Sequence, residues 1–137
     1  MKRKGTYVLV ITLGSDMEIT VGALGTLSFS KGTYCYVGSA MGGLDQRLKR
    51  HLSKEKKLKW HIDYLTTVAD DRRAMISYPD FIPECELAEM AGRSGMVPSH
   101  KGFGCSDCKC HTHLFQASER SLAELVRLAG LEEYHLI

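Results

Sequence analysis

The first third of the chain alternates short apolar runs with turn residues. Residues 5–13 (GTYVLVITL) form an apolar, β-branched run that predicts a central strand, and residues 14–16 predict a turn. Residues 18–21 alternate apolar and polar positions, which predicts a half-buried strand paired with the first strand in a hairpin. A third strand is predicted at residues 33–37.

Helical periodicity begins after Gly42 and Gly43. Leu44, Leu48 and Leu52 recur every four residues and give one apolar stripe. Ser121 with Glu124 resembles a capping box ahead of a last helix. Further helices are predicted from residue 60 and at 84–91, and further strands at 73–78 and 113–116. This order predicts an α/β sandwich with a small mixed sheet, in one domain over residues 1–137.

Composition is that of an ordinary globular protein. The chain has 137 residues, of which 44% are hydrophobic and 25% charged, and it can bury a sizeable core. No apolar run approaches the length needed to span a bilayer. The basic start is not followed by an apolar segment with a cleavage site. We therefore expect a cytoplasmic protein without a membrane partner.

Charge is concentrated in one window, although the net charge is only +2. Residues 47–59 hold one acidic residue, Glu55, and these basic residues: Arg47, Lys49, Arg50, Lys54, Lys56, Lys57 and Lys59. Such a basic stripe fits a nucleic-acid surface, and it fits a solvated helix and turn equally well.

Helical geometry assigns directions to the charged side chains. At about 100° per residue, Arg47 and His51 lie at the border of the leucine stripe, whereas Arg50 points farther out. Arg47 is thus predicted to face a cleft and Arg50 to be solvated. By the same count, Glu84 lies on the inward face of its helix and Glu86 lies opposite. An inward carboxylate needs a metal ion or a basic group as partner.

Two tyrosine–glycine elements add candidate chemistry. Gly5-Thr6-Tyr7 and Tyr36-Val37-Gly38 each place a phenol, which can donate or accept a proton, close to a glycine. Arg47 follows, and its planar set of donors matches phosphate oxygens. Together these residues suggest a site that cleaves phosphodiesters. The alternative is two ordinary strands with core tyrosines.

Five cysteines are present, and three of them lie close together near the carboxyl-terminal third. Cys105, Cys108, Cys110 and His113 offer enough soft ligands for a structural zinc site in the segment 103–113. The spacing is not that of paired CxxC motifs, so His51, His61 or His100 is a further candidate ligand. The alternative is that the small thiols simply pack inside a loop.

Several longer stretches carry a family resemblance. They are YVGSA (36–40), RLKRH (47–51), WHIDYL (60–65), ECELA (84–88) and FGCSDCKCHTHLF (103–115). With the two tyrosine–glycine elements, they make the chain similar to the GIY-YIG nuclease superfamily, and within it to the small Uri-type endonuclease-like family. The resemblance covers nearly the whole chain. It implies a small three-stranded antiparallel core sheet flanked by helices.

The resemblance also implies hydrolysis of DNA with Mg²⁺ or Mn²⁺. Tyr7 would activate or orient the attacking water with help from Tyr36, and Arg47 would stabilise charge on the phosphate. His51 matches the family's histidine, and Glu84 would bind the ion, with Glu86 as the other candidate. DNA contacts are expected from Gly38, Lys49, Arg50, Lys54 and Lys57.

The chain departs from the family pattern in one respect, and two other functions are also compatible with its sequence. The two tyrosine signatures are farther apart than usual, which an extra hairpin near residues 15–30 explains. A module with this fold could bind nucleic acid without cleaving it, and would then bind with a steep salt dependence. Related domains resemble ones that are fused to repair glycosylases. A third candidate function is therefore an accessory domain whose partner is a DNA-repair enzyme.

Overall fold

The fold is a six-stranded antiparallel sheet with helices on both faces. The computed structural model describes residues 3–53, 56–105 and 110–134. Its strands are β1 (Gly5–Leu13), β2 (Met17–Thr20), β3 (Thr26–Phe29), β4 (Gly32–Ala40), β5 (Asp71–Ser77), β6 (Val97–Pro98), β7 (Leu114–Ala117) and β8 (Glu132–Glu133). Its α-helices are α1 (Leu44–Leu52), α2 (His61–Thr66), α3 (Glu84–Arg93) and α4 (Glu119–Ala129). The α/β class predicted from the sequence is confirmed.

Strand β1 lies near the centre of the sheet and sets its register. The strand order is β6-β7-β4-β1-β5-β8. Tyr7 on β1 pairs with Gly38 on β4 and with Ile76 on β5. All these pairings are antiparallel, and β1 is buried along nearly its whole length. This explains why its sequence is a continuous apolar run rather than an alternating one.

Each face of the sheet carries its own core, because neighbouring residues of a strand point to opposite sides. Tyr7, Leu9 and Ile11 point to one face and pack with residues of α1 and α2. Val8 and Val10 point to the other face and pack with residues of α3 and α4. Helices α1 and α2 therefore cover the Tyr7 face of the sheet, and α3 and α4 cover the opposite face.

The predicted hairpin between β1 and the strand after it is wrong. Strand β2 pairs with β3 in a separate two-stranded sheet. Strand β1 cannot accept β2, because its two edges are occupied by β4 and β5. The β2–β3 pair thus lies in the chain between the two tyrosine elements, packed on the Tyr7 face through Met17, Ile19 and Leu27.

The three-stranded core sheet implied by the resemblance is also corrected. Strands β4, β1 and β5 form the centre, and the sheet extends beyond them on both sides. On one side β7 pairs with β4 and β6 with β7, and on the other side β8 pairs with β5. Strand β7 matches the strand predicted at 113–116, whereas β6 and β8 have two residues each and are too short to show a period.

The N-cap of the last helix lies three residues before the predicted cap. Ser118, not Ser121, is the N-cap, and its hydroxyl accepts a hydrogen bond from the Ser121 backbone N–H at 3.1 Å. Gly130 ends the helix in the left-handed conformation, which glycine adopts without steric cost. None of the helices in the described ranges has the length and apolar character required to cross a membrane.

Candidate functional site

A cleft of about 500 Å³ opens on the Tyr7 face of the sheet. Side chains from five elements line it, because the amino-terminal half of β1, the end of β4, α1 and the first residues of α2 and α3 converge there. The residues predicted from the sequence that line it are Tyr7, Tyr36, Gly38, Arg47, His51 and Glu84. Further lining residues include Ser39, Lys59, Trp60, His61, Cys85 and Gly104.

Gly38 holds no side chain because the Tyr7 ring occupies the space beside it. The two residues are cross-strand partners, and a Cβ atom on Gly38 would lie 2.4 Å from the Tyr7 hydroxyl oxygen. The family resemblance implies that Gly38 contacts DNA. In the structure, the glycine first lets the phenol of its own neighbour lie flat across β4.

The buried phenol of Tyr7 meets a buried imidazole. The Tyr7 hydroxyl oxygen lies 2.9 Å from Nε2 of His51, and both side chains are almost fully buried. Burial raises the pKa of Tyr7 well above its usual value, although nearby Arg47 acts to lower it. Burial, together with nearby Lys56, lowers the pKa of His51 to about 3. Near neutral pH the pair is therefore a phenol and an uncharged imidazole.

Asp63 identifies the proton-bearing nitrogen of His51. Nδ1 of His51 has no hydrogen-bond partner among the described residues, and the nearest carboxylate oxygen, Oδ1 of Asp63, is 4.0 Å away. That negative charge favours a proton on Nδ1, which leaves the lone pair of Nε2 to accept the Tyr7 hydroxyl hydrogen. The Tyr7 oxygen then offers its own lone pairs to the cleft.

Tyr36 lines the cleft diagonally across the strands from Tyr7. Burial raises its pKa well above the ordinary value, so its hydroxyl is a hydrogen-bond donor at neutral pH. Gly104, at φ 73°, lies so close that a Cβ there would be 2.7 Å from the Tyr36 ring. The Gly104 backbone N–H donates to Nδ1 of His61 at 3.0 Å. The Cys/His-rich segment thus forms one wall of the cleft.

Arg47 is held in place by a carbonyl and an indole. Its Nη1 donates to the Ser39 carbonyl at 3.0 Å, and its guanidinium lies 4.5 Å from the centroid of the Trp60 ring. Cation–π contact of this kind fixes an arginine without neutralising it. Trp60 has a second role besides packing against the core. It is half-buried, with the rest of its ring in contact with Arg47, Arg50 and Lys59.

Arg50 is only 26% exposed and lies in an ion pair, which corrects the solvated position predicted from the helix count. Its two Nη atoms donate to the two carboxylate oxygens of Asp63 at 2.8 and 2.9 Å. Asp63 is fully buried and also accepts backbone hydrogen bonds from Lys59 and Trp60. Burial acts to raise the pKa of Asp63, but these donors hold it below its ordinary value. Arg50 is therefore committed to an internal ion pair.

Glu84 faces the cleft, as its inward position on the helix predicted, whereas Glu86 is exposed. Its Oε2 lies 3.2 Å from Nδ1 of the buried His113. Partial burial acts to raise the pKa of Glu84, but hydrogen bonds from His113 and Ser39 keep it below the usual value. The carboxylate is thus ionised at neutral pH. Neither His113 nor Ser39 is recognisable from the sequence as its partner, because both contacts are formed by distant elements.

The remaining basic residues divide between surface and structure. Lys49 and Lys57 are exposed, as expected for residues that contact a polyanion, and Lys54 lies outside the described residues. Lys56 instead donates to the carbonyls of Arg50 and His51 at 2.8 and 3.0 Å, at the end of α1. Its burial lowers the pKa to about 8.

The soft ligands are grouped differently from the predicted zinc set. The ligand atoms of Cys85, Cys110 and His113 lie within 4.8 Å of one another. Cys105 is not in this group; its Sγ is 3.5 Å from the Phe103 carbonyl oxygen, and Cys108 lies outside the described residues. Cys85 belongs to α3 and is far from the others in sequence, so no local spacing could identify it.

The chain belongs to the family described as Domain of unknown function DUF123, whose model matches residues 6–133. This match covers Tyr7, the second tyrosine element, the basic helix and the Cys/His-rich segment. Neither a curated protein nor a solved structure matches the chain.

Proposed function

We propose that the protein is a divalent-metal-dependent endonuclease that hydrolyses DNA phosphodiesters, in the manner of the GIY-YIG superfamily and its Uri-type members. One observation carries the proposal. Tyr7, Tyr36, Arg47, His51 and Glu84 come from β1, β4, α1 and α3, yet all of them line a single cleft. This set combines a group that moves protons, a fixed cation and an ionised carboxylate, which phosphodiester hydrolysis needs.

The charge around the cleft supports a polyanionic substrate. Lys59 lines the cleft, and Lys49 and Lys57 are exposed on the same basic stretch of chain. Besides the ion-paired Arg50, two cationic side chains, from Arg47 and Lys59, lie within 4.8 Å of the Trp60 ring centroid. Lysines and arginines arranged in this way attract the phosphate backbone without reading sequence.

The attacking water loses its proton to the Tyr7–His51 pair. Tyr7 keeps its hydroxyl hydrogen at rest, since burial raises its pKa. As the water attacks, its proton passes to the Tyr7 oxygen, and the phenolic proton passes to Nε2 of His51, 2.9 Å away. The imidazolium formed is stabilised by the Asp63 carboxylate near Nδ1. An incoming phosphate adds a further negative charge, which raises the low pKa of His51 toward the range this transfer needs.

Arg47 and Tyr36 stabilise the charge that develops on the phosphate. The guanidinium of Arg47 is oriented by Ser39 and Trp60 before substrate arrives, so little reorganisation is needed during reaction. The Tyr36 hydroxyl lines the same cleft and is protonated, and it therefore donates a hydrogen bond to a phosphoryl oxygen.

Glu84 fits the requirement of a hard divalent ion. Among the described residues that line the cleft, Glu84 is the carboxylate, and its low pKa keeps it charged. Mg²⁺ and Mn²⁺ bind through one or two carboxylates and keep several waters. When bound, the ion supplies positive charge at the scissile phosphate. His113 and Ser39 hold Glu84 at the cleft whether or not the ion is bound.

A second function, a non-catalytic nucleic-acid-binding or DNA-repair accessory domain, is favoured by one specific observation. The pKa of Tyr7 is raised and that of His51 is lowered to about 3, so proton transfer from water to this pair is uphill at rest. A domain in which the phosphate does not change these values binds DNA and leaves it intact.

Cleavage of plasmid and branched DNA with Mg²⁺ or Mn²⁺ tests the proposal. We expect the parent protein to cleave and the variants Tyr7→Phe, Arg47→Ala and Glu84→Gln to lose cleavage by a factor of 100 or more, about the contribution of one catalytic group. Glu86→Gln is the matched control, because Glu86 is an exposed carboxylate on the same helix, and it should cleave like the parent.

Two outcomes contradict the endonuclease. Cleavage that persists in all three variants would indicate a contaminant or another site. A parent protein that binds DNA in a salt-sensitive manner but cleaves none of these substrates would favour the binding domain instead.

A further inference from the structure

A second cluster of chemical groups lies next to the cleft. Cys85 is the second residue of α3, whereas Cys110 and His113 precede β7. The tertiary fold brings their ligand atoms within 4.8 Å of one another, and Sγ of Cys85 lies 3.9 Å from Nε2 of His113. Zinc bonds of about 2.3 Å to sulfur and about 2.0 Å to nitrogen, at tetrahedral angles, place such atoms about 3.6 Å apart. The 3.9 Å between Cys85 Sγ and His113 Nε2 therefore exceeds the separation in a zinc site by only a few tenths of an ångström.

The imidazole of His113 is already oriented for metal binding. It is fully buried, and its Nδ1 lies 3.2 Å from Oε2 of Glu84. The negative charge of that carboxylate favours a proton on Nδ1, which leaves the lone pair of Nε2 for the thiols, with Sγ of Cys85 3.9 Å away. A carboxylate that holds the remote nitrogen of a ligating histidine is the usual outer partner in zinc sites.

The chemistry of the donors selects the ion. Two thiols and one imidazole are soft and borderline ligands, which favour Zn²⁺ over Mg²⁺ or Mn²⁺. A cavity of about 390 Å³, lined by Cys85, Cys110 and Thr112 among others, gives access from solvent. Cys85 is itself exposed, so an ion reaches the site without unfolding of the core.

We propose that Cys85, Cys110 and His113 bind Zn²⁺, with Glu84 as the carboxylate that orients His113. A water or a further donor fills the fourth tetrahedral position. This site goes beyond the proposed endonuclease and does not depend on it. It ties the first turn of α3 to the Cys/His-rich segment, and thereby fixes the direction in which Glu84 faces the cleft. The ligand set differs from the one expected from sequence, because Cys85 replaces Cys105.

Metal content and Co²⁺ spectroscopy of the full chain test the site. The protein is purified in a phosphine reductant, its zinc is counted by mass spectrometry, and the apoprotein is titrated with Co²⁺. We expect one equivalent of zinc, and with Co²⁺ a thiolate charge-transfer band and the strong d–d bands of tetrahedral coordination. Cys85→Ser and Cys110→Ser should lose the charge-transfer intensity of one thiolate and bind Co²⁺ at least tenfold more weakly.

Two further variants separate this set from its alternatives. Glu84→Gln should retain the bands but bind 10- to 100-fold more weakly, as is usual for the loss of a partner of a ligating histidine. Cys105→Ser is the matched control and should bind like the parent. Cys85 is exposed, so its replacement by serine leaves the fold intact, which circular dichroism verifies.

Three results would overturn the site. They are substoichiometric metal in the reduced parent protein, unchanged affinity in Cys85→Ser, and loss of the bands in Cys105→Ser. None of these readouts involves DNA. Metal binding without cleavage would therefore remove the proposed endonuclease and leave the zinc site, and cleavage without zinc would do the reverse.

Discussion

The Tyr7 hydroxyl oxygen and Nε2 of His51 lie 2.9 Å apart in the protein interior, and the two rings are stacked with their planes 20° apart. These residues come from β1 and α1, which are separated in the chain by the β2–β3 pair and β4. The contact joins a group that faces the cleft to a titratable base beneath it. It should therefore affect both stability and the proposed hydrolysis.

Burial of an uncharged His51 should make the protein less stable in acid. The folded state holds the pKa of His51 at about 3, below its ordinary 6.5, so the unfolded chain binds the proton more readily. Stability contributed by this group is complete above pH 6.5 and declines as the pH falls toward 3. One group changes the unfolding free energy by at most about 1.4 kcal/mol per pH unit.

Urea unfolding across this pH range, followed by circular dichroism, measures the effect. His51→Gln keeps a side chain able to hydrogen-bond to Tyr7 but does not titrate, so its unfolding free energy should fall less steeply between pH 6.5 and 3. Parallel curves for the parent and the variant would show that His51 titrates normally in the folded protein.

Gly38→Ala should remove the Tyr7 ring from its position. The new Cβ would lie 2.4 Å from the Tyr7 hydroxyl oxygen, a distance that atoms do not tolerate, so the ring must move. We expect destabilisation of about 1–3 kcal/mol, as for overpacking of a core. DNA cleavage should fall as far as in Tyr7→Phe, because the phenol leaves both His51 and the cleft.

Thermal unfolding and the plasmid assay measure these two effects. Gly92→Ala is the control, since no atom lies within 4 Å of the Cβ it would add and its helical position favours alanine. A Gly38→Ala protein with parental stability and cleavage would contradict the steric argument.

Arg47 and Arg50 should have opposite roles despite their proximity. Arg50→Ala leaves the fully buried Asp63 carboxylate without its bidentate partner, and we expect a loss of about 3 kcal/mol in unfolding free energy. Arg47→Ala removes a partly exposed stacking contact worth about 1 kcal/mol or less. Its main effect should be on cleavage. The combination of chemical denaturation with the cleavage assay distinguishes the two, and equal losses of stability would contradict this division.

Lys49 should contribute to DNA affinity through charge alone. It is exposed on α1, next to the residues that line the cleft. Removal of one phosphate contact in Lys49→Ala should lower the slope of log affinity against log salt by about 1, with no change in sequence preference. Fluorescence anisotropy over a range of salt measures that slope.

Lys31→Ala is the matched control for this experiment. Lys31 is also exposed but precedes β4, at the opposite end of that strand from Gly38. The same reduction of slope in both variants would mean that the protein binds DNA without using this surface.

The sequence by itself determined the helices and strands that are long enough to show a hydrophobic period. The leucine repeat of α1, the apolar run of β1 and the inward position of Glu84 all follow from local pattern, because burial of one face imposes its period on the residues. Tyr7, Tyr36, Arg47 and Glu84 could be selected because each has a reactive or charged side chain and lies in a family motif or on an inward helix face. The α/β class followed from the order of these elements.

Only the tertiary structure decided which groups meet. Whether Arg50 is solvated depends on Asp63 of the next helix, and the partner of Glu84 is His113, which belongs to a distant segment. The same holds for Cys85, which joins Cys110 and His113 through packing of α3 against the sheet. Burial and contact between distant segments also set the pKa of His51. Local sequence gives the direction a side chain takes on its own element, whereas its partners are set by how the elements pack.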